Sequence, residues 1–229
     1  MNKSWLTVIL VSIATHAMTQ TSHFLPPQPA SSDASINIAV SSHTDNEGNA
    51  YFEEAEKNER KGEFNEAVTL FGKAAFEYNS AKQLDKYGSA LLRLSNVHYL
   101  LEHYTEAEQV VLNVALKNYS KLGSRKGLID SYSQLGKIYL ASTKYTQSLW
   151  FYTQQGILAK QTGNNRAYIE SVIGIANVKI KKKDFVLASR DLTRAELLAN
   201  SSNLTQYKNQ IRDARAQIPV KKTVKKQSK

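Results

Sequence analysis

The stretch LGKIYLASTKYTQS, residues 135–148, contains the pattern that decides the fold. Gly136 is followed nine residues later by Tyr145, and Tyr145 is followed three residues later by Ser148. The same order of a small, an aromatic and a second small residue occurs four times, at spacings of 40, 41 and 40 residues. A pattern that recurs at a nearly fixed distance is typical of a repeat protein. The four sets are Ala55, Phe64, Ala67; Ser95, Tyr104, Ala107; Gly136, Tyr145, Ser148; and Ala176, Phe185, Ala188.

Each set predicts a pair of antiparallel helices. Two helices approach closely only where the side chains at their contact are small, so the two small residues mark the crossing point. The aromatic residue lies at a short polar turn and fills the wedge between neighbouring pairs. Apolar residues around these markers recur with helical period, as Leu91, Leu94, Val97 and Leu101 do. The sequence therefore predicts four helical hairpins, at residues 50–83, 88–122, 128–162 and 168–200.

The repeats resemble the tetratricopeptide-repeat (TPR) family over about residues 50–200. Three segments carry the resemblance: Leu94-Ser95-Asn96, residues 135–139, and Ile175-Ala176-Asn177. The family's usual period is about 34 residues, so this is the longer variant of about 40, of the type that bacteria export. The resemblance implies an all-α fold, a right-handed α-solenoid of four hairpins. HEAT and armadillo arrays have similar periods but lack the small–aromatic–small register, and they are the alternative.

The boundaries of the helices have their own signals. The family's closing proline is missing, and Gly123-Ser124 and Gly163-Asn164 instead predict a glycine helix stop followed by the cap of the next helix. After the fourth hairpin, one apolar stripe predicts a C-terminal capping helix at residues 203–218, which shields the last core face of the array. The stripe consists of Leu204, Tyr207, Ile211, Ala214 and Ile218.

The two ends of the chain differ from the repeats in composition. Residues 1–17 are typical of a signal peptide, with Lys3 before an apolar run and a small-x-small site ending at Ala17. Residues 18–49 are polar and contain three prolines, which predicts a disordered linker. Residues 219–229 predict a basic disordered tail. We expect a soluble exported protein of the bacterial periplasm or exterior, although an uncleaved membrane anchor is the alternative for the N-terminus.

The sequence offers little for catalysis. The chain has no cysteine, which excludes disulfides, thiol nucleophiles and zinc sites built on cysteine. His98, Glu102 and His103 have the wrong spacing for a zinc hydrolase motif, and we expect His98 to be a packed core residue. No phosphate-binding loop or dinucleotide fingerprint occurs. We therefore predict that the protein is not an enzyme and that it uses no metal or cofactor.

The resemblance implies that the first helices of successive hairpins line a concave groove that binds a protein or peptide. Side chains one position past the small residue face this groove in the family, and here they are Glu56, Asn96, Lys137 and Asn177. Asparagine is the family's usual residue there, because its amide hydrogen-bonds an extended backbone. The predicted groove residues are Arg93, Asn96, Tyr99, Gln134, Lys137, Ile173, Asn177 and Lys181.

Charge and aromatic residues refine the predicted partner. Residues 50–118 carry a net charge of −3 and residues 119–218 a net charge of +10, which indicates that the C-terminal half binds an acidic peptide segment or another anionic surface. The basic tail could instead bind an anionic envelope surface; export and the lack of a reading element argue against nucleic acid. Self-association around Trp150 and a sensory-type module are the alternative functions. We expect Tyr139, Tyr145 and Tyr152 to pack within hairpins, and we expect Trp150 to be buried.

Overall fold

The fold is an α-solenoid of nine helices, seen in a computed structural model that describes residues 33–219, with side chains from residue 47 onward. No strand occurs among these residues, and each helix packs mainly on the helices before and after it in the chain. The predicted all-α solenoid is therefore confirmed. The helices are α1 Asp33–Lys61, α2 Phe64–Ser80, α3 Leu84–Leu100, α4 (Tyr104–Gln109, Val110–Ala115 and Leu116–Leu122), α5 Arg125–Ala141, α6 Tyr145–Gln161, α7 Asn165–Lys181, α8 Phe185–Ser201 and α9 Tyr207–Ala216.

The predicted linker is helical over part of its length. Helix α1 begins at Asp33, well before the predicted start of the first hairpin at residue 50. Gly48 is buried against the ring of Tyr78, and Asn49 accepts hydrogen bonds from the Tyr78 hydroxyl and from Lys86. The end of this segment packs through the backbone of Gly48 and not through apolar side chains, so its polar composition does not indicate the contact. The predicted signal peptide, the start of the linker and residues 220–229 lie outside the described residues.

The helices of each hairpin cross at the two small residues of the repeat. In the second hairpin the Ser95 hydroxyl, on the first helix, donates to the Ala107 carbonyl across the crossing at 2.9 Å. In the third hairpin the direction is reversed, and the Ser148 hydroxyl, on the second helix, donates to the Gly136 carbonyl at 2.7 Å. Each buried hydroxyl finds its partner on the backbone that the crossing brings close. The two remaining crossings are made by alanines alone.

Every helix from α1 to α8 ends with a residue in the left-handed region, followed by a 6→1 backbone hydrogen bond. Gly123 and Gly163 have φ of 65° and 67°, where a glycine avoids the steric cost of a side chain. Ser124 then accepts from the Gly127 N–H at 3.3 Å, and Asn164 accepts from the Ala167 N–H at 3.1 Å. Both predicted combinations of helix stop and cap are confirmed.

The single spacing of 41 residues has its cause in α4. The left-handed residues at the two ends of this helix, Glu102 and Gly123, are 21 positions apart, whereas the other three second helices have 20. The extra residue is absorbed by a π-helical segment, Val110–Ala115, in the middle of α4. A π segment of this kind takes up an inserted residue without ending the helix. The turns at both ends therefore keep the geometry that the other hairpins have.

A contact between a large and a small residue is repeated in all four hairpins. In the last two hairpins the large residue is on the first helix and the small one on the second, the reverse of the first two. The ring of Tyr119 in α4 lies against Gly88 of α3, where an added Cβ would be 2.4 Å from the tyrosine Cζ. At the equivalent positions the third hairpin has Ile129 and Ala159, both buried in one cluster. The first hairpin repeats the glycine–tyrosine pair with Gly48 and Tyr78, and the fourth repeats the isoleucine–alanine pair with Ile169 and Ala199.

This exchange predicts a coupled pair of mutations. Gly88→Ile alone places a branched side chain in the space that the Tyr119 ring occupies. We therefore expect the free energy of unfolding to fall by about 3 kcal/mol or more. Tyr119→Ala alone leaves a cavity that costs about 3–5 kcal/mol. The double variant recreates the pair of the third hairpin, and urea unfolding should show it at least about 2 kcal/mol more stable than the sum of the single effects. Additive losses would contradict the equivalence.

The array ends as the apolar stripe predicted. In α9, Tyr207, Ile211 and Ala214 are buried against the core of the fourth hairpin, and Leu204 and Ile218 pack on its edge. The expectation for Trp150 was wrong, because this side chain is 53% exposed while its neighbour Phe151 is buried. Consecutive helix residues point about 100° apart, so only one of the two can face the core, and that residue is Phe151. No helix among the described residues has the length and hydropathy that a membrane span requires.

Candidate functional site

A pocket with a volume of about 770 Å³ lies between α5 and α7, the first helices of the third and fourth hairpins. Residues of α3 and of the capping helix α9 reach its two sides, and Tyr152 reaches it from α6. We call it the α5–α7 pocket. It is lined by Tyr99, Ser133, Lys137, Leu140, Ala141, Thr143, Tyr145, Tyr152, Glu170, Gly174, Asn177, Lys181 and Gln210.

Four of the eight predicted groove residues come together in this pocket: Tyr99, Lys137, Asn177 and Lys181. Lys137 and Lys181 are exposed, and neither forms an ion pair with any residue of the described part of the chain. The side chain of Asn177 is half-buried, and its Oδ1 has no hydrogen-bond partner among residues 47–219. The polar groups at the centre of the pocket are therefore not committed to contacts within the chain.

Arg93 and Asn96 lie outside the pocket and are held by a glutamate of the first hairpin. Arg93 Nη2 lies 2.5 Å from Glu59 Oε2 and 3.4 Å from Glu56 Oε1, and its guanidinium group stacks over Phe71 at 5.5 Å. Asn96 donates from Nδ2 to Glu59 Oε1 at 2.9 Å. Because Arg93 Nη2 and Asn96 Nδ2 are both bound to Glu59, these two predicted residues stabilise the packing of α1 on α3.

The predictions for Gln134 and Ile173 are corrected by their burial. Ile173 is completely buried in the core that α7 forms with α8 and α9, where Ile169 and Leu192 surround it. Gln134 is 7% exposed, and its Nε2 is buried without a partner in the described part of the chain. Both lie near the predicted groove positions in sequence, and nearness along a helix does not distinguish a groove-facing residue from one that faces the next helix.

Two residues that form the pocket were missed as site residues. Tyr152 was expected only to pack, and its ring does lie between α5 and α7; Cβ atoms added at Gly136 and Gly174 would come within 2.7 Å and 2.5 Å of Cε1 of this ring. Gly174 was not singled out at all. The signal was present in the internal alignment, where the equivalent positions carry the large polar residues Glu53, Arg93 and Gln134.

The three intervals between successive first helices are filled differently. In the α1–α3 interval, Phe71 lies under Arg93. In the α3–α5 interval, the equivalent residues are Val111 and Gln134, and both are buried. In the α5–α7 interval they are Tyr152 and Gly174, and both line the pocket. A glycine on α7 therefore leaves open the space that a side chain closes in the other two intervals.

Burial sets the protonation of the pocket's phenol. Burial raises the pKa of Tyr152, and the nearby Tyr99 raises it further, so this hydroxyl is a hydrogen-bond donor at neutral pH. The Tyr152 hydroxyl forms no hydrogen bond with another described residue. The only carboxylate of the lining, Glu170, accepts a hydrogen bond of 2.5 Å from the Tyr207 hydroxyl of the capping helix. The unsatisfied groups of the pocket are thus mainly donors and cations.

The histidines do not form a metal site in the described part of the chain. His98 and His103 have ring centroids 6.1 Å apart, and no group of three His, Cys, Asp or Glu residues within the described ranges could hold a metal ion. Burial lowers the pKa of His98, which favours the neutral imidazole at neutral pH. His98 was predicted to be a packed core residue, and in α3 it is half-buried. The absence of an enzymatic activity stays a prediction.

The fold and the pocket together define a helical-repeat protein. No family model matches the sequence, and no curated protein matches it. Among solved structures, the apo form of RapI is similar over 77% of this chain and 64% of its own, with a TM-score of 0.69 and 9% identity. BtubC from P. vanneervenii is similar over 70% of this chain and 66% of its own, with a TM-score of 0.62 and 17% identity. This chain therefore spans about two thirds of each, and the likeness is one of fold.

The two groups of groove residues should respond differently to mutation. Glu59→Ala removes the acceptor of both Arg93 and Asn96, so we expect the free energy of unfolding to fall by about 1–3 kcal/mol. Lys181→Ala removes a cation without a partner, so the change should stay within about 0.5 kcal/mol. Chemical denaturation of the two variants measures this difference. A larger loss for Lys181→Ala than for Glu59→Ala would mean that the pocket cations stabilise the fold.

Proposed function

We propose that the protein is an exported scaffold of the TPR type that binds an extended segment of a partner protein in the α5–α7 pocket. The observation that carries the proposal is the set of uncommitted polar groups there, Lys137, Asn177 and Lys181, beside a cavity of about 770 Å³. The repeat architecture supports it, since solenoids use such surfaces for binding. Export is proposed from residues 1–17, and the groove binds without catalysis.

An extended peptide fits this pocket better than a small molecule does. The lining comes from five helices and a turn, so the pocket has the length of several residues. The Asn177 amide is not fixed by any hydrogen bond of the described residues, and it is free to turn toward a peptide backbone. The equivalent Asn96 cannot do so, because Glu59 holds its amide. We therefore place the binding site at the third and fourth hairpins.

Site-specific photo-crosslinking tests this proposal. A photoreactive phenylalanine analogue at Tyr99 lies on the wall of the pocket, whereas the same analogue at Phe76 lies on an exposed part of α2. After irradiation in the native host, we expect a crosslinked partner protein at position 99 and none at position 76. Peptide mapping by mass spectrometry should place the crosslink within one continuous segment of the partner.

A matched pair of variants controls this experiment. Lys137→Glu with Lys181→Glu reverses the two pocket cations, and Lys117→Glu with Lys121→Glu makes the same change in net charge on α4. The crosslink at position 99 should be lost in the first variant and retained in the second. Equal crosslinking of positions 99 and 76, or equal loss in both variants, would remove the pocket as the binding site.

Self-association is the second candidate, and the exposure of Trp150 favours it. The indole is 53% exposed, and among the described residues it packs edge-to-face with Tyr132 and Phe151, at 6.4 Å and 4.6 Å. A second copy of the chain could cover this side chain. Light scattering over a hundredfold range of concentration should then show a rising mass that Trp150→Ser abolishes. A constant monomer mass would leave the scaffold as the function.

A further inference from the structure

We propose that the α5–α7 pocket recognises an Asp or Glu side chain of the bound segment, and that Gly174 is the specificity-determining residue that gives this interval its selectivity. This inference rests on the proposed function. It adds the chemical group that is recognised and the reason why the α5–α7 interval, and not the other two, recognises it.

The charge of the pocket favours a carboxylate. Lys137 on α5 and Lys181 on α7 both line the pocket, and neither has an ion-pair partner in the described part of the chain. Glu170, the only acid of the lining, is already held by the Tyr207 hydroxyl. In the α1–α3 interval, by contrast, the cation Arg93 is neutralised by Glu56 and Glu59. The α5–α7 pocket therefore offers a ligand two unpaired lysines against one carboxylate, whereas the cation of the α1–α3 interval is neutralised.

Gly174 determines where the ring of Tyr152 lies in the pocket. A Cβ at this position would lie 2.5 Å from Cε1 of Tyr152, so no other residue fits without moving the ring. With glycine there, the ring lies between α5 and α7, and its hydroxyl forms no hydrogen bond with another described residue. That hydroxyl supplies a donor at the bottom of a pocket whose rim carries two lysines. The side chains of Arg93 and Gln134 occupy the equivalent positions in the other intervals.

The size of the pocket argues that the carboxylate belongs to a side chain within a longer segment. A volume of about 770 Å³ is several times that of a carboxylate group, so a free anion would leave most of the surface without contacts. Tyr99, Leu140 and Ala141 add aromatic and apolar area beside the lysines, against which neighbouring residues of the segment can pack. The ligand is therefore a protein segment in which an acid is flanked by residues of moderate size.

Chemical-shift mapping by NMR tests the chemistry of the ligand, because it detects weak binding and localises it. The probes are three decapeptides with blocked termini, made of alternating Glu-Ala, Gln-Ala or Lys-Ala, and a fourth Gln-Ala peptide with a free C-terminal carboxylate. We expect saturable shifts of the Lys137, Gly174 and Asn177 amides with the Glu-Ala peptide. The blocked Gln-Ala peptide should bind at least about fivefold more weakly, since it lacks the ion pairs.

Variants then separate the charge from the shape of the pocket. Lys137→Gln and Lys181→Gln should each weaken the Glu-Ala peptide by about two- to fivefold, and the matched Lys117→Gln should change its binding by less than about 1.5-fold. Tyr152→Val with Gly174→Gln gives the α5–α7 interval the Val111 and Gln134 pair that the α3–α5 interval already contains. This double variant should remain helical by circular dichroism and lose the saturable binding. If it fails to fold, the two lysine variants still decide the proposal.

The outcomes separate this inference from the proposed function. Equal binding of the Glu-Ala and blocked Gln-Ala peptides at the pocket would overturn the carboxylate and leave the peptide groove in place. Stronger binding of the free-terminus peptide than of the Glu-Ala peptide would assign the pocket to a chain end and overturn the side chain. Retained binding in a folded double variant would overturn the role of Gly174. Shifts confined to residues outside the pocket, with every peptide, would overturn both proposals.

Discussion

The close approach of two helix backbones within each hairpin is the constraint on which the rest of the structure depends. At each crossing the contact is made by residues no larger than serine, and all of them are buried. A larger side chain there would push the helices apart, since helix separation follows the side chains at the contact. The separation of each pair also fixes how far its first helix lies from the next one. The width of every interval along the solenoid, including the α5–α7 pocket, therefore follows from these crossings.

Away from the crossings, the repeats keep their volume constant by exchanging large and small residues. A tyrosine faces a glycine in the first two hairpins, and an alanine faces an isoleucine in the last two. Such exchanges preserve the packing density that protein interiors require. Two glycines face one ring in two places: Gly88 and Gly127 face Tyr119, and in the α5–α7 interval Gly136 and Gly174 face Tyr152. The ring occupies the space between the helices, and the space above it stays open as the pocket.

The fold could be predicted from the sequence because its signal is local and periodic. The spacing of Gly136, Tyr145 and Ser148 recurs four times, and each recurrence reports one hairpin. The cause of the 41-residue spacing could not be predicted, since an inserted residue can lengthen a turn as readily as form the π segment of α4. The site was predicted in part. Tyr99, Lys137, Asn177 and Lys181 follow from the repeat register, but the Glu59 contacts of Asn96 and the burial of Ile173 depend on neighbouring helices.

Equivalent positions of this array serve stability at one end and remain free for binding at the other. Asn96 and Asn177 occupy the same place in their repeats, yet one amide is held by Glu59 and the other is not held by any described residue. A half-buried polar group without a partner lowers stability, since it has lost part of its water without gaining a hydrogen bond. Neighbouring repeats in a solenoid share this cost through their interfaces. The first hairpins, where Glu59 binds both Arg93 and Asn96, can therefore support a fourth hairpin whose polar groups are left for a ligand.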